Sequence, residues 1–293
     1  MHTTRTSFDR RALAARANQA AIATRAKAQL DQHSPVCIYG LSDALGIVVR
    51  FNNINMEGMY QRGTPPRIHL SAHRPLPRRA FNCAHELAHH VFGHGSSIDQ
   101  LREEAKENPW EDPKEFLADA FAGFTLMPVI GLHRAFQVRD WNPGTTTASQ
   151  MFTIACEFGV GYETLITHLS IGVKIISRGR AATLKKQTPK SLRKEILGAP
   201  TANPLLVVDR HQAGSTLDTE VDTLLLLPSG TEVTGSSLAH ERDFADGRLF
   251  RAVRAGIVQA STEDGAWAKF VRVAPKGYIG LAKYRHLEEE PDE

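Results

Sequence analysis

The sequence predicts an α+β fold in which helices and strands mix over the first two thirds of the chain, and strands alone fill the last third. Positions 8–32 hold helix-forming residues with no Pro or Gly. Between 37 and 135, short strand-like runs alternate with helical runs. After Gly198, short apolar runs are separated by turn signals such as Pro228-Ser229-Gly230. We therefore divide the 293 residues into an N-terminal helix, an α+β domain, a helical bridge with a basic connector, and a small β-rich C-terminal domain, with predicted bounds 1–36, 37–135, 136–198 and 199–293.

The composition is that of an ordinary globular protein. Hydrophobic residues make up 42% and charged residues 23%, which is enough apolar surface for a core. The net charge of +3 is too small to indicate a nucleic-acid-binding protein. Three widely spaced cysteines exclude a disulfide scaffold and a Cys-rich zinc ribbon. The N-terminus is charged where a signal peptide needs an apolar core, and the run Leu224–Leu227 is too short to span a bilayer, so we expect a cytoplasmic protein.

The α+β domain is predicted to place two strands before a pair of helices. Ile47–Val49 and Arg67–Ser71 are the strand-like runs. A proline-rich bend follows the second strand, and a helix is predicted over Arg78–Phe92, where Gly93 ends it. A second helix is predicted over Pro113–Met127, because proline suits the first helical turn.

Residues 85–89 read His-Glu-Leu-Ala-His, an HExxH motif on the first of these helices. Residues four apart lie on one helical face about 6 Å apart along the axis, so His85 and His89 can bind one zinc ion at about 2.0–2.1 Å. Glu86 can then act as the catalytic base toward water whose pKa zinc lowers toward about 7. A chance match on an amphipathic helix is the alternative. The small residues beside the histidines and the preceding strand favour a zincin-like metallopeptidase domain.

Glu115 is the favoured third ligand. It opens the second helix, and Asp119 shares its face at i+4, where it can accept the free N–H of a ligand imidazole. Two solvated carboxylates at a helix N-terminus are the alternative. His94 follows His89 by five residues rather than the six of metzincins, so His94, like His90, is interpreted as a surface or supporting residue. Rival carboxylates lie in the acidic stretch between the helices: Glu103, Glu104 and Glu111.

The predicted bridge contains a helix-turn-helix-like pair, Thr147–Phe158 and Tyr162–Leu169. The second helix has no Arg or Lys to contact bases or phosphates. A plain helical support is therefore favoured over direct DNA binding. The following run, Arg178–Lys194, is rich in Arg and Lys and predicts a basic connector, helical or partly mobile, that faces either solvent or an acidic partner.

Several motifs also occur together in a recognisable order. They are Leu45-Gly46-Ile47, Glu57-Gly58, the strand Arg67–Ser71, the run Arg78–His90 with its HExxH, and an ExxAxxFA block from Glu115 that leads to Leu126-Met127-Pro128. In this order and spacing the chain resembles the ImmA/IrrE family of gluzincin-like metallopeptidases. The resemblance covers about residues 38–130 and extends more loosely to about 175. The C-terminal part shows no motif that matches.

The resemblance implies one Zn²⁺ per chain. His85 and His89 would be zinc ligands, Glu115 the third ligand and Glu86 the general base. Many relatives have Asn where this chain has Asp119, and aspartate still suits an acceptor for a ligand imidazole.

The resemblance further implies narrow proteolysis inside the cell. Relatives cleave, or cause cleavage of, helix-turn-helix repressors in stress-response, mobile-element or toxin–antitoxin loci. We therefore predict a helix-turn-helix (XRE-like) repressor or antitoxin as the partner and substrate, and no membrane partner. The alternative is a non-catalytic metal-binding regulator that binds a repressor or DNA.

An extended substrate is expected to pair with Arg67–Ser71, interpreted as an edge strand. The predicted substrate-binding residues are therefore Ile68, His69 and Leu70. Candidates for stabilising the oxyanion are Tyr60, His69 and His94.

Overall fold

The computed structural model describes residues 8–95, 97–99 and 112–287, with the backbone alone described for 97–99. It shows a mixed α+β architecture. The helices are α1 (Arg10–Lys27), α2 (Ile38–Ala44), α3 (Leu76–Phe92), α4 (Pro113–Leu126), α5 (Val129–Gln137), α6 (Ala148–Glu157), α7 (Tyr162–Thr167), α8 (Arg178–Leu184) and α9 (Pro189–Leu197). The strands are β1 (Val48–Asn52), β2 (Gly58–Gln61), β3 (Arg67–Ser71), β4 (Ser97–Asp99), β5 (Leu205–Val207), β6 (Thr216–Glu220), β7 (Leu224–Pro228), β8 (Thr231–Thr234), β9 (Leu238–Phe244), β10 (Gly247–Ala252), β11 (Gly256–Thr262), β12 (Ala268–Ala274) and β13 (Gly280–Leu281).

The first sheet has the strand order β13-β1-β3-β2-β4, so β3 lies in its interior. Strand β1 pairs with β3 in parallel, and β2 pairs with β3 in antiparallel fashion. The interpretation of Arg67–Ser71 as an edge strand is therefore wrong. Its backbone is already paired on both sides, and Ile68 and Leu70 are completely buried. The second neighbour of β3 is β2, a strand that the sequence did not predict because it lacks the alternating apolar pattern of a half-buried strand.

Helix α3 lies against this sheet and is closely defined at both ends. Pro77 lies in its first turn, and Gly93 ends it in the left-handed conformation with φ 68°. Four of its apolar residues are fully buried: Cys83, Ala84, Leu87 and Ala88. This packing fixes the rotation of the helix and therefore the direction in which its histidines point.

Helix α4 packs on α3, and α1 packs on α4. Asp112 caps α4 by accepting a hydrogen bond from the Lys114 amide at 2.7 Å. The buried Arg25 guanidinium of α1 donates to the Thr125 carbonyl at 2.8 Å and to the Ser34 carbonyl at 2.6 Å. These bonds satisfy a buried charged group and hold α1 across the end of α4.

The predicted basic connector of the bridge forms two helices, α8 and α9, which are separated by a turn at residues 185–188. Thr147 and Gln150 make a capping box at the start of α6, and Gly159 provides the turn before α7 with φ 63°. The apolar residues of this pair lie in the core, among them Met151, Ile154, Leu165, Ile166 and Leu169. This burial favours the helical-support interpretation.

The C-terminal region forms two four-stranded sheets. One has the order β5-β7-β10-β9 and the other β6-β12-β11-β8. They enclose a second core whose buried members include Leu225, Leu227, Val258, Val271 and Val273. Alternation along β11, with Val258 and Ala260 buried and Ile257 and Gln259 exposed, shows one face packed and one face open.

The C-terminal region is tied to the first sheet by direct pairing. Strand β13 pairs antiparallel with β1, with Arg50 opposite Leu281. The buried Arg79 of α3 forms an ion pair with Glu220 at the end of β6. Arg285 donates to Asp218 at 2.9 Å, and its guanidinium lies over the Tyr39 ring. The division at residue 199 stays a prediction, but these contacts cross it.

In the part of the chain that the structure describes, no single helix is long and apolar enough to cross a membrane. Helices α4 and α5, a pair bent by 41°, together have the length and apolar composition of a span.

Candidate metal centre

Helices α3 and α4 bring three ligand-type side chains to one point. The His85 Nε2 atom lies 3.1 Å from His89 Nε2 and 3.1 Å from Glu115 Oε2. His89 Nε2 lies 3.6 Å from Glu115 Oε1. Each imidazole is 2% exposed and Glu115 is 24% exposed, so solvent reaches the cluster from the carboxylate side.

This donor set fits a zinc-type ion. Tetrahedral ligands at about 2.0–2.1 Å from a metal lie about 3.3–3.5 Å from one another, and the observed separations fall on both sides of that value. Burial lowers the pKa of His89 to about 4, with the neighbouring His85 as a further cause, so its imidazole is neutral. Neutral imidazole is the form that binds metal. The three residues can therefore hold a metal ion.

Two further side chains fix the ligand imidazoles. Asp119 Oδ1 lies 2.9 Å from His85 Nδ1, and His94 Nδ1 lies 3.1 Å from His89 Nδ1. An Nδ1–H that donates to either acceptor leaves Nε2 free to bind metal. Burial lowers the pKa of His94, which favours the neutral ring that can accept this bond. His94 thus supports a ligand and is not itself one of the clustered three.

We expect His94→Ala to weaken metal affinity by about 10- to 100-fold, because His89 loses the acceptor that holds its ring. Competition with a chromogenic chelator measures this change. His73→Ala is the matched control, since His73 bonds the exposed Asn53 side chain at 2.6 Å. Equal metal affinity in the two variants would show that His94 does not support the metal centre.

Glu86 lies between the two ligand histidines in the motif and is completely buried. A Cβ atom added to Gly58 of β2 would lie 3.0 Å from Glu86 Cγ and 3.1 Å from Glu86 Oε1. The absence of a side chain at Gly58 therefore creates the space in which the carboxylate lies. The neighbouring Glu57 holds this end of β2 through bonds from Arg78 at 2.9 and 2.7 Å and from Asn82 at 2.7 Å.

We expect Gly58→Ala to lower the cleavage rate by about 10- to 100-fold with metal content unchanged, because the added methyl group displaces the Glu86 carboxylate. Parallel measurements of cleavage and bound metal test this. Gly63→Ala is the control, since its Cβ would meet only a backbone oxygen at 3.4 Å. An undiminished rate in Gly58→Ala would show that Glu86 has more room than the contacts indicate.

The predicted substrate residues are not brought to this centre. Tyr60 faces α3, where its hydroxyl lies 2.8 Å from His90 Nδ1, and it pairs across the sheet with Ile68. Side chains alternate along a strand, so His69 points to the opposite face of the sheet. There it contacts Asn52 and Gln61, each at 3.2 Å. The predictions that His69 binds substrate or stabilises the oxyanion are therefore wrong.

The prediction that Ile68 and Leu70 bind substrate is also wrong, because both side chains are completely buried in the core. The rival ligands Glu103, Glu104 and Glu111 lie outside the described residues.

Two cavities are lined in part by residues of the centre. The larger, about 690 Å³, has the candidate ligand His85 in its wall. The smaller, about 310 Å³, is lined by Asp119 and by apolar side chains such as Phe116 and Phe124. Phe81 lines both cavities. Sequence analysis did not single out Phe81 or Asn82, although their positions four and three residues before His85 place them on the ligand face of the helix.

A buried HExxH helix with a carboxylate from the following helix is the constellation of a metallopeptidase centre. Residues 42–170 match the family model described as Peptidase_M78, IrrE N-terminal-like domain. Residues 42–170 therefore form an ImmA/IrrE-type metallopeptidase domain, which confirms the resemblance seen in the sequence and supports a zincin-like fold. The matched segment contains all three clustered ligands and ends before α8.

Comparisons with solved structures and with curated proteins give no further support for a function. A solved structure described as a Mycobacterium tuberculosis transcriptional regulator is 17% identical, with a TM-score of 0.36. The match covers 53% of this chain and 46% of that one, so the chain spans less than half of the regulator. No curated protein matches the chain.

Proposed function

We propose that this chain is a zinc-dependent endopeptidase of narrow specificity that acts in the cytoplasm. Its substrate is a helix-turn-helix repressor or antitoxin, and cleavage relieves repression in a stress-response, mobile-element or toxin–antitoxin locus. The observation that carries the proposal is the cluster of His85, His89 and Glu115 within the matched peptidase domain. The choice of zinc rests on the two-nitrogen, one-carboxylate donor set.

The residues divide the chemistry among themselves. The bound metal would supply Lewis acidity toward the scissile carbonyl and the attacking water. Glu86 takes the proton of that water and returns it to the leaving amine. Asp119 and His94 hold the two ligand imidazoles in the tautomer that binds metal. The low exposure of the two imidazoles shields their contacts with Asp119 and His94 from bulk water and so strengthens them, while solvent reaches the cluster beside Glu115.

Glu86 is also what favours an enzyme over a non-catalytic regulator. A structural metal site needs the ligands but not an adjacent buried carboxylate. Direct DNA binding is not favoured, because the apolar side of α7 is buried and its other side carries Glu163, Thr164 and Thr167 in place of basic residues.

Comparison of new protein N-termini tests the proposal. Lysate of the native cell is incubated with the wild type or with Glu86→Gln, and new termini are identified by mass spectrometry. We expect cleavage confined to one or a few helix-turn-helix proteins with the wild type only. Cleavage of many unrelated proteins would indicate a degradative protease. No difference between the two, with metal bound in both, would favour the non-catalytic regulator.

A further inference from the structure

The larger cavity follows one face of the metal-binding helix. Arg78, Phe81, Asn82 and His85 line it, at i, i+3, i+4 and i+7 of α3. The cavity therefore extends from a candidate metal ligand toward the N-terminal end of that helix. Its volume of about 690 Å³ lies within the range of about 300–1,000 Å³ found for binding pockets.

Part of the cavity wall comes from outside the matched peptidase domain. Leu205, Leu206, Thr216 and Leu217 contribute from strands β5 and β6 of the C-terminal region. Arg193 of α9 lines the same space. A ligand in this cavity would thus touch the metal-binding helix and the C-terminal sheets at once.

The charged side chains that line the cavity have oppositely charged partners, except Arg193 among the described residues. Glu57 is paired with Arg78, and Asp218 with Arg272 and Arg285. Arg193 has no carboxylate partner within 4.0 Å in the described part of the chain, and its buried Nε atom has no hydrogen-bond acceptor there. A buried guanidinium donor without a partner costs free energy, which an acceptor on a bound ligand would recover.

We propose that this cavity binds the substrate polypeptide on one side of the scissile bond, and that the C-terminal sheets thereby help select the substrate. The occupant is an apolar segment that carries an acidic side chain, which pairs with Arg193. Continuity with His85 identifies the occupant as substrate, because a chain lying along this face of α3 leads directly to the metal ligands. This inference rests on the proposed peptidase function.

Thr216 and Thr234 allow a matched test. Both are exposed threonines on edge strands of the same sheet, but only Thr216 lines the cavity. The probe is the protein that the wild type cleaves in lysate, purified and supplied at varied concentration. We expect Thr216→Trp to raise KM at least tenfold and Thr234→Trp to change it less than twofold, with equal metal content. Arg193→Gln should raise KM at least fivefold.

A second measurement covers the case in which Thr216→Trp fails to fold. Thr216→Cys and Thr234→Cys, each in the Glu86→Gln background, are coupled to a benzophenone maleimide and irradiated with the same substrate. Crosslinking from position 216 alone supports the cavity as the substrate site. If the wild type cleaves but positions 216 and 234 behave alike, the inference is wrong and the peptidase function stands. If the wild type cleaves nothing, the peptidase function fails and the inference falls with it.

Discussion

Replacing Glu86 with Gln is expected to lower the rate of peptide cleavage by about 10²- to 10⁴-fold, the usual contribution of a general base. Glutamine keeps the size of the side chain but cannot take a proton from water. Glu86 is completely buried and lies against Gly58, which has no side chain that could take over its role. Single-turnover cleavage of the identified substrate, with bound metal determined on the same preparations, measures the effect.

His85→Ala provides the contrast, because it removes a ligand and should abolish both metal binding and cleavage. Glu86→Gln should retain metal and the thermal midpoint of the wild type. If Glu86→Gln cleaved at nearly the wild-type rate, another residue would have to transfer the proton, and the proposed mechanism would be wrong.

Glu220→Ala is expected to destabilise the whole protein by about 3–5 kcal/mol, because it leaves the Arg79 guanidinium buried without its counter-ion. The Arg79 side chain is 2% exposed and that of Glu220 is 15% exposed, so solvent cannot compensate for the loss. Chemical denaturation gives the free energy of unfolding. The effect should reach α3, since Arg79 lies six residues before the ligand His85 on that helix.

Lys276→Ala is the control for this measurement. It breaks an exposed ion pair with Asp222 in the same region and should cost less than about 1 kcal/mol. The double variant Arg79→Met with Glu220→Leu should recover much of the stability, because no buried charge remains. Equal effects of Glu220→Ala and Lys276→Ala would show that the buried pair does not hold the C-terminal region to α3.

The metal cluster was predictable because its geometry is mostly local. His85 and His89 share a helical face by spacing alone, and Gly93 and Pro113 marked the ends of the two helices that matter. Glu115 was the favoured third ligand because it begins the second helix. These inferences need only the helical repeat and a short separation along the chain.

The features that the sequence did not predict depend on contacts between residues that are far apart along the chain. Arg67–Ser71 has the composition of a strand at any position in a sheet, and only the unrecognised β2 shows that it is internal. His94 was interpreted as a surface or supporting residue without a partner, since its contact with His89 depends on the chain turning back at Gly93. The role of Gly58 requires the packing of a strand against a helix, which no local pattern reveals.

The pairing of β1 with β13 has a consequence for how the protein is made. Arg50 and Leu281 lie opposite each other although most of the chain separates them. During synthesis β1 leaves the ribosome long before its outer neighbour exists, so the sheet beside the metal-binding helix keeps an open edge until residues 280–281 have been made. Domains generally fold as they emerge, N-terminal first. Here the nascent peptidase domain can complete its sheet only when β13 arrives, which links its final form to the synthesis of the C-terminal region.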